Sequence, residues 1–418
     1  MKKKILKIIA IVLLLIVSIL IAAPFLLEAK VGDILKNNVN SSVNATLDFS
    51  EANLSLIKSF PNAEVSLQGV SLINKAPFEG DTLFASKQID IKMGIGELFK
   101  GTQEPIAIKS LAIDGALLNI SIDKDGNASY DIAQPADGLS GKKESSQGFS
   151  FDLQSYEISN SKVVYNDMEN AMALMVSEIE HKGKGDLSIS NSELETNTEA
   201  LVSFAFDSTQ YLNQNVVKLN ALIGIDLEGN KYTFLQNDAI VNQLPLVFDG
   251  FIQVNQDNQE VDINFKTPSS DFKNFLALIP EAYSKNIENV KTTGECIVEG
   301  EFKGLVDDEH IPKFKIKVKS DNASFKYPDL PKTVQNIHLD LSVINSTGIS
   351  EDTYIDVRKA SFTIDEDNFN LSSKITNLTG NSRVNAHIDG ILNLATVSKA
   401  YPISEDLKLS GVLKADIT

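Results

Sequence analysis

The sequence has few residues of the kinds that build covalent crosslinks or metal sites. It contains one cysteine, four histidines and no tryptophan in 418 residues. A single cysteine cannot form an internal disulfide, and no C-x-x-C or H-x-x-x-H pair is present. We therefore predict no structural zinc, no catalytic metal and no cofactor. Cys296, in the segment ECIVEG, is predicted to be a small, half-buried strand residue and not a reactive thiol.

Positive charge is also scarce. The chain has 38 Lys and Arg against 56 Asp and Glu, a net charge of −18. A nucleic-acid partner is therefore excluded, because a phosphate polymer needs a basic face. The nucleophile-elbow and P-loop motifs are absent. MGIGELFKG resembles a dinucleotide fingerprint, but its third glycine is displaced. DKDGNASYD resembles a calcium loop, but it lacks the closing Glu, so we interpret it as a hairpin turn at Asp125-Gly126. We predict no catalytic residues and no enzyme activity.

What the sequence does contain begins with a long uncharged run near its start. Lysines precede residues 8–27, in which Ile8, Leu14, Leu20 and Leu27 are typical members. Twenty helical residues span ~30 Å, the thickness of a bilayer's hydrocarbon. The run is longer than the apolar part of a cleaved signal peptide, so we favour an uncleaved anchor over a signal peptide. The lysines predict a cytoplasmic N-terminus and, in a two-membrane bacterium, an inner-membrane protein with its bulk in the periplasm.

Beyond the anchor (1–28) the apolar period changes from helical to strand-like. A short amphipathic helix, EAKVGDILKNNVNSSV, is followed by alternating segments through residues 29–132. Residues 133–150 are rich in Pro, Gly, Ser and charge, which is typical of a linker or long loop. Strands resume over 151–418, with short helices predicted at SSDFKNFLALIPEAYSK and LATVSKAYP. The last strand pattern, LSGVLKADI, stops without a closing turn, which predicts that the sequence is truncated at its C-terminus.

A recurring phrase places glycine after a polar residue, as in AIDGALLNI, VFDGFIQVN, IVEGEFKG, HIDGILNL and LSGVLKADI. The spacing is irregular, so a solenoid of fixed period is excluded. We predict that these phrases mark repeated hairpins.

The segment KFKIKVKS, residues 313–320, alternates without interruption. Side chains of a strand switch faces with period two, so one face is apolar and the other carries lysines. We interpret the lysines as a solvated outer wall that keeps sheets from pairing face to face. NIHLDL repeats the pattern, with His338 on the polar side. The candidate apolar-face residues are Phe314, Ile316, Val318, Ile337, Leu339 and Leu341.

Several ordered phrases resemble the AsmA family of periplasmic, inner-membrane-anchored proteins. They are IKSFPNAEVSLQGVSLIN, GDTLFASKQIDIKMGIGELFKG and DGNASYDI, the last with Tyr130 where the family usually has Trp. Later segments, FKYPDLPKTVQNIHLDLSVIN among them, also look like the family's larger members. The resemblance implies a long antiparallel sheet folded like a gutter, with an apolar interior that passes phospholipid between membranes. It implies a role in outer-membrane biogenesis and no catalysis.

The predicted fold class is mainly β: an N-terminal transmembrane helix, then a long, curved, antiparallel, groove-like sheet with a few short helices. An open sheet of more than about ten strands is expected either to curl into a gutter or to split into two units. One hypothesis is a groove whose apolar face binds or conducts phospholipid acyl chains. The other is a structural or assembly factor, in contact with other envelope proteins, whose apolar face closes on itself. The two predict opposite surroundings for the face of Phe314, Ile316 and Val318.

Overall fold

The computed structural model describes residues 32–33, 36–37, 39–56, 59–99, 106–133, 149–187, 189–206, 209–268, 270–276, 289–307, 309–378, 381–402 and 409–418. The predicted anchor at residues 8–27 lies outside these ranges, as does nearly all of the predicted linker at 133–150. Within the described ranges, no helix combines the length and the apolarity needed to cross a bilayer.

The chain divides into two compact units, Met1–Gln214 and Asn215–Thr418, with the boundary inside one long strand. Splitting was one of the two outcomes expected for a sheet with so many strands. The described part of the chain is mainly β, as predicted, with 21 strands and only short helices.

The first unit contains nine strands in the described ranges. They are β1 (Ala45–Asp48), β2 (Glu51–Ser55), β3 (Asn62–Asn74), β4 (Thr82–Gly94), β5 (Ile106–Asp114), β6 (Leu117–Ile122), β7 (Phe149–Asp167), β8 (Met172–Gly185) and β9 (Asn191–Phe206). A 3₁₀ helix, Ile95–Phe99, follows β4. Both β1 and β2 pair with β3, and the order then runs through β4, β5 with β6, β7, β8 and β9.

The prediction of an antiparallel sheet is wrong at one place. Strands β5 and β6 run in the same direction, and both pair with β7 in parallel. Parallel neighbours need a crossover connection of about a dozen residues or more, and residues 123–148 between β6 and β7 supply one. The sheet is therefore mixed. The turn within this connection is as predicted: Gly126 has φ of +80°, and the Asp123 carboxylate accepts hydrogen bonds from the backbone N–H groups of Asp125 and Asn127, both at 2.9 Å.

The second unit is an antiparallel meander. Its strands are β10 (Thr209–Asp226), β11 (Lys231–Val241), β12 (Leu244–Val254), β13 (Gln259–Lys266), β14 (Lys291–Thr293), β15 (Cys296–Val306), β16 (Lys313–Lys326), β17 (Val334–Asn345), β18 (Tyr354–Ile364), β19 (Asp367–Thr376), β20 (Arg383–Asn393) and β21 (Val412–Ile417). Each pairs with the next, except that β13 pairs with β15 and the short β14 pairs with β16.

The short helices fall where the sequence predicts them. The described part of the first is α1 (Phe272–Leu276), and residues 277–285 of the predicted segment lie outside the described residues. The second is α2 (Leu394–Val397), whose Asn393 side chain accepts from the Ala395 N–H as an N-cap. Residues 39–42 of the predicted amphipathic helix are helical. A 3₁₀ helix also spans Ser350–Asp352.

The second unit consists of repeated antiparallel hairpins, as the polar-glycine phrases suggest, but three of these glycines do not form the turns. Gly250, Gly300 and Gly390 lie inside β12, β15 and β20. At Gly250, φ is +131°, and an added Cβ would lie 1.9 Å from the Asp262 carbonyl oxygen. At Gly390, φ is +146°, and an added Cβ would lie 2.2 Å from the Asn368 carbonyl oxygen. These glycines therefore permit close approach between neighbouring strands instead of reversing the chain.

Each unit has its own buried apolar cluster. In the first unit the buried members lie on β2, β3 and β4 and on the residues that flank β2. They are Phe49, Leu54, Leu56, Ala63, Val65, Leu67, Val70 and Met93. In the second unit the cluster forms where α1 and residues near α2 meet the sheet. Its buried members are Leu244, Phe272, Cys296, Val298, Val318, Ala323, Val334, Ile337, Ile364 and Ala400.

Candidate functional site

The six predicted apolar-face residues lie on two paired strands, β16 and β17. Val318 lies directly opposite Leu341, and Ser320 lies opposite Leu339. Residues directly opposite each other in an antiparallel pair point to the same face. The pairing register shifts between Ser320 and Ala323, and Ile337 then lies opposite Ala323. The structure therefore brings the predicted residues of both strands together on one face, with bulges keeping the alternation in phase.

Burial differs along that face. Val318 and Ile337 are buried, at 8% and 5% exposure, and belong to the second unit's core. Ile316, Leu339 and Leu341 are only partly buried and pack against the edge of this core. The cover is supplied by α1, whose Phe272 is 2% exposed. A closed core and a partly exposed apolar surface therefore lie side by side on the same face of the sheet.

An aromatic ladder continues the partly buried region. Phe314 lies opposite Phe302 on β15, with ring centroids 5.6 Å apart. Phe302 stacks at 5.8 Å on Phe265 of β13. Phe265 reaches across Gly300, where an added Cβ would lie 2.5 Å from the ring. These contacts are within the range of favourable aromatic pairs. Sequence reasoning missed Phe302 and Phe265, although each lies in the same alternating pattern as Phe314.

A single row of opposite residues extends this face across the second unit. We call it the apolar row. It contains Phe248, Phe265, Gly300, Ile316, Val343, Ile355, Ile375 and Val384, from β12 to β20. Every member from Phe248 to Ile375 is partly exposed, and Val384 is 64% exposed. At about 4.8 Å per strand, the row is roughly 34 Å long.

The opposite face of the same strands is charged. Lys317 pairs with Glu299 at 2.9 Å, and Lys303 pairs with Asp262 at 2.7 Å. Lys317 holds the pKa of the Glu299 carboxyl below its usual range through a hydrogen bond and its charge. Such exposed pairs contribute little to stability, but they keep this face hydrated. The lysines of KFKIKVKS therefore lie on a solvated wall, as the sequence predicts.

The first unit has a corresponding row. It starts in the buried core at Leu67 and continues through Ile89, Ile113 and Ile158 to His181 on β8. Ile89, Ile113 and Ile158 are partly buried, as is His181. No local pattern in the sequence indicates that a histidine follows the aliphatic members of this row.

Groups that could carry chemistry are sparse in the described part of the chain. No set of three or more His, Cys, Asp or Glu side chains there is placed to hold a metal ion. Cys296 is fully buried, beyond the predicted half-burial, and burial raises the pKa of its thiol to about 12. His338 lies on the charged face and contacts the Asp321 carboxylate. The arrangement offers an extended apolar surface with a charged back.

Comparison with known proteins is informative at the level of family. The AsmA family profile matches residues 1–234, more than half of the 418-residue chain. No match was found among curated proteins or among solved structures. The matched region includes the whole first unit, with its aliphatic row, and the start of the meander that carries the apolar row. By this match, the chain belongs to the AsmA family.

Proposed function

We propose that this chain is an inner-membrane-anchored envelope protein that binds phospholipid acyl chains along an apolar sheet face and conducts them. Residues 8–27 would form a single span with the N-terminus in the cytoplasm and the two units in the periplasm. The sheet would curve around the lipid as a groove. The role requires no catalytic residue, cofactor or metal. AsmA family membership is consistent with a role in the bacterial envelope.

The observation that carries this proposal is the apolar row. Its members from Phe248 to Ile375 are partly exposed across consecutive strands, although each is apolar or glycine. An apolar stripe of this length in contact with water is unfavourable, at roughly 25 cal/mol per Å² of apolar surface. Acyl chains would remove that surface from water.

The dimensions also suit lipid. The hydrocarbon of a bilayer is ~30 Å thick and holds two leaflets, so one acyl chain spans on the order of 15 Å. The row of roughly 34 Å could therefore hold chains end to end. The row offers few directional polar groups, which suits a flexible chain that must slide. The charged outer face keeps the sheet itself from associating through its back.

A second candidate function is supported by a different observation. Val318 and Ile337 are closed beneath α1 in a core that needs no lipid. If the apolar row contacts another protein, the chain is a structural or assembly factor of the envelope. The two functions differ in what covers Ile316 and Val343 in the cell.

The test is to purify the full chain from bacterial membranes in mild detergent and measure bound phospholipid by mass spectrometry. Ile316→Asp places a carboxylate in the apolar row, and Lys313→Asp places one on the charged face of the same strand as a control. We expect the unmodified chain and Lys313→Asp to carry more phospholipid per chain than a single-span protein purified in parallel. Ile316→Asp should carry less. Equal lipid in all four samples would favour the assembly factor.

A further inference from the structure

The row of the first unit ends in polar groups that its aliphatic members do not explain. Opposite residues on successive strands read Leu67, Ile89, Ile113, Ile158, His181 and Thr198. The neighbouring row reads Val65, Ile91, Leu111, Tyr156, Gly183 and Thr196. Each row is aliphatic through β5 and becomes polar from β7 or β8 onwards. The change places an imidazole and hydroxyl groups on the face that is otherwise apolar.

Three of these side chains form a hydrogen-bonded relay. His181 Nδ1 lies 2.8 Å from Thr198 Oγ1, and His181 Nε2 lies 2.9 Å from the Tyr156 hydroxyl. The tyrosine ring leans across the strand to make this contact, with its centroid 5.2 Å from that of the imidazole. Gly183 makes the position possible, because a Cβ there would lie 2.3 Å from the tyrosine ring. The glycine and the relay are therefore parts of one arrangement.

The three side chains of the relay carry three polar hydrogens, but the two hydrogen bonds between them use only two. A neutral imidazole has one N–H and one acceptor nitrogen. If Tyr156 donates to Nε2, then Nδ1–H donates to Thr198, and the threonine hydroxyl hydrogen remains. In the other tautomer, the tyrosine hydroxyl hydrogen remains. Neither hydroxyl has a further hydrogen-bond partner in the described ranges of the chain. Each tautomer therefore leaves one hydroxyl hydrogen that needs an acceptor oxygen.

The surroundings keep the relay neutral and accessible. Burial lowers the pKa of His181 and raises that of Tyr156. Both side chains and Thr198 are partly exposed, so a bound molecule can reach them. Across the strands, Ile158 lies opposite the imidazole, and the adjacent Glu157 and Lys182 alternate to the other face. The spare hydrogen therefore lies beside apolar surface, where a hydrogen bond is stronger than in water.

We propose that Tyr156, His181 and Thr198 form a donor site for an oxygen of the bound lipid. The oxygen would be an ester carbonyl or a phosphate oxygen of a glycerophospholipid whose chains lie along the aliphatic row. This inference rests on the proposed function and adds to it. The first unit recognises a polar part of the lipid and not its chains alone.

Any test must remove the whole relay. Deleting one member leaves a donor elsewhere, because the imidazole can change tautomer. The informative variant therefore combines Tyr156→Phe, His181→Leu and Thr198→Val, which keep the size and remove every donor. Thr363→Val is the control, since this hydroxyl bonds Asn336 and the Gln335 carbonyl outside the relay. Binding to the full chain in detergent is measured with three fluorescent probes: a diacyl phospholipid, the corresponding diacylglycerol and a hydrocarbon without oxygen.

We expect the triple variant to bind the phospholipid roughly 2- to 10-fold more weakly, the loss of one net hydrogen bond, and to retain hydrocarbon binding. A matching loss for diacylglycerol identifies the ester as the acceptor, and a loss confined to phospholipid identifies the phosphate. Unchanged phospholipid binding, or equal losses of affinity for all three probes, would contradict the proposed donor site. If the unmodified chain binds no probe at all, the proposed function itself fails, and the site with it.

A second measurement follows the His181 ring in the unmodified chain and uses a variant only to assign its signal. Histidine-selective ¹⁵N NMR of the full chain, with the His181 signal assigned through His181→Gln, reports the ring directly. Phospholipid should shift the His181 ring nitrogens, and the hydrocarbon probe should leave them in place. Equal shifts with both probes would contradict a donor site, even if the triple variant failed to fold.

Discussion

Neighbouring positions on β16 should respond very differently to the same substitution. Val318 and Ile316 point to one face of the strand, two residues apart, but Val318 is 8% exposed and Ile316 is partly exposed. Val318→Asp would bury a carboxylate among Val298, Leu341 and the α1 region with no cation within the apolar core. Ile316→Asp would place the same group where solvent or lipid reaches it.

The magnitudes follow from burial. Removing the buried valine loses about 1.5–3 kcal/mol of hydrophobic stabilisation, and an uncompensated buried charge adds several kcal/mol. The sum is comparable with the whole stability of a typical domain, roughly 5–15 kcal/mol. We therefore expect Val318→Asp to unfold the second unit. Ile316→Asp should cost only about 1–2 kcal/mol, because part of its apolar area is already exposed and the carboxylate stays hydrated.

The assay is urea denaturation of the full chain in detergent, followed by far-UV circular dichroism. Lys313→Asp on the charged face serves as the matched control and should change little. The second unit of Ile316→Asp should unfold at a urea concentration near that of the unmodified chain, whereas Val318→Asp should lack this transition from the start. If both variants unfold the second unit, Ile316 lies in a closed core and the groove interpretation is refuted.

Three further predictions concern single side chains. The Asn345 side chain is 1% exposed, accepts a hydrogen bond from the Gly348 N–H at 2.8 Å and donates one to the Ile349 carbonyl in the loop before β18. Asn345→Ala should therefore destabilise the second unit by about 1–3 kcal/mol, measured by urea denaturation. An unchanged urea midpoint would contradict this role. Burial lowers the pKa of His181 from 6.5, so the unfolded chain takes up the proton first as pH falls, and stability decreases below pH 6.5. His181→Gln should make the urea midpoint of the first unit less dependent on pH in that interval, and an identical pH dependence would be evidence against a buried imidazole. Cys296 is fully buried, and burial raises the pKa of its thiol to about 12. Iodoacetamide should therefore label Cys296 only after denaturation, as measured by intact-mass spectrometry. Rapid labelling of the folded chain would show that the thiol lies at the surface.

The sequence was sufficient to predict a mainly β chain with few helices, because period-two alternation is a local property. The strand from Lys313 shows the expected division between apolar and lysine faces, and the family resemblance is confirmed. Bulges such as the one between Ser320 and Ala323 correct the phase locally, so alternation survives along long strands. The short helices α1 and α2 were also recognisable, since each interrupts the strand pattern with helical spacing.

Other features depend on contacts between distant segments. The parallel pairing of β7 with β5 and β6 joins segments that are distant along the chain, and it has no local pattern. Gly250 and Gly390 resemble turn glycines in sequence, and only the close approach of the next strand shows their role. Val318 and Ile316 are indistinguishable in KFKIKVKS, because their difference arises from the placement of α1. The His181 relay joins residues 17 and 25 positions away along the chain, beyond any short motif.

Photocrosslinking beside the apolar row in living cells tests lipid binding most directly. Phe314→p-benzoylphenylalanine places a photoreactive ring beside Phe302, and the same residue at Lys313 places it on the charged face of the same strand. The chain is irradiated in bacteria grown with radiolabelled phosphate, then purified under denaturing conditions. If acyl chains lie on this face, a labelled phospholipid adduct forms at position 314 and little or none forms at position 313. Equal labelling at both positions, or a protein adduct in place of lipid at position 314, would contradict lipid binding on this face.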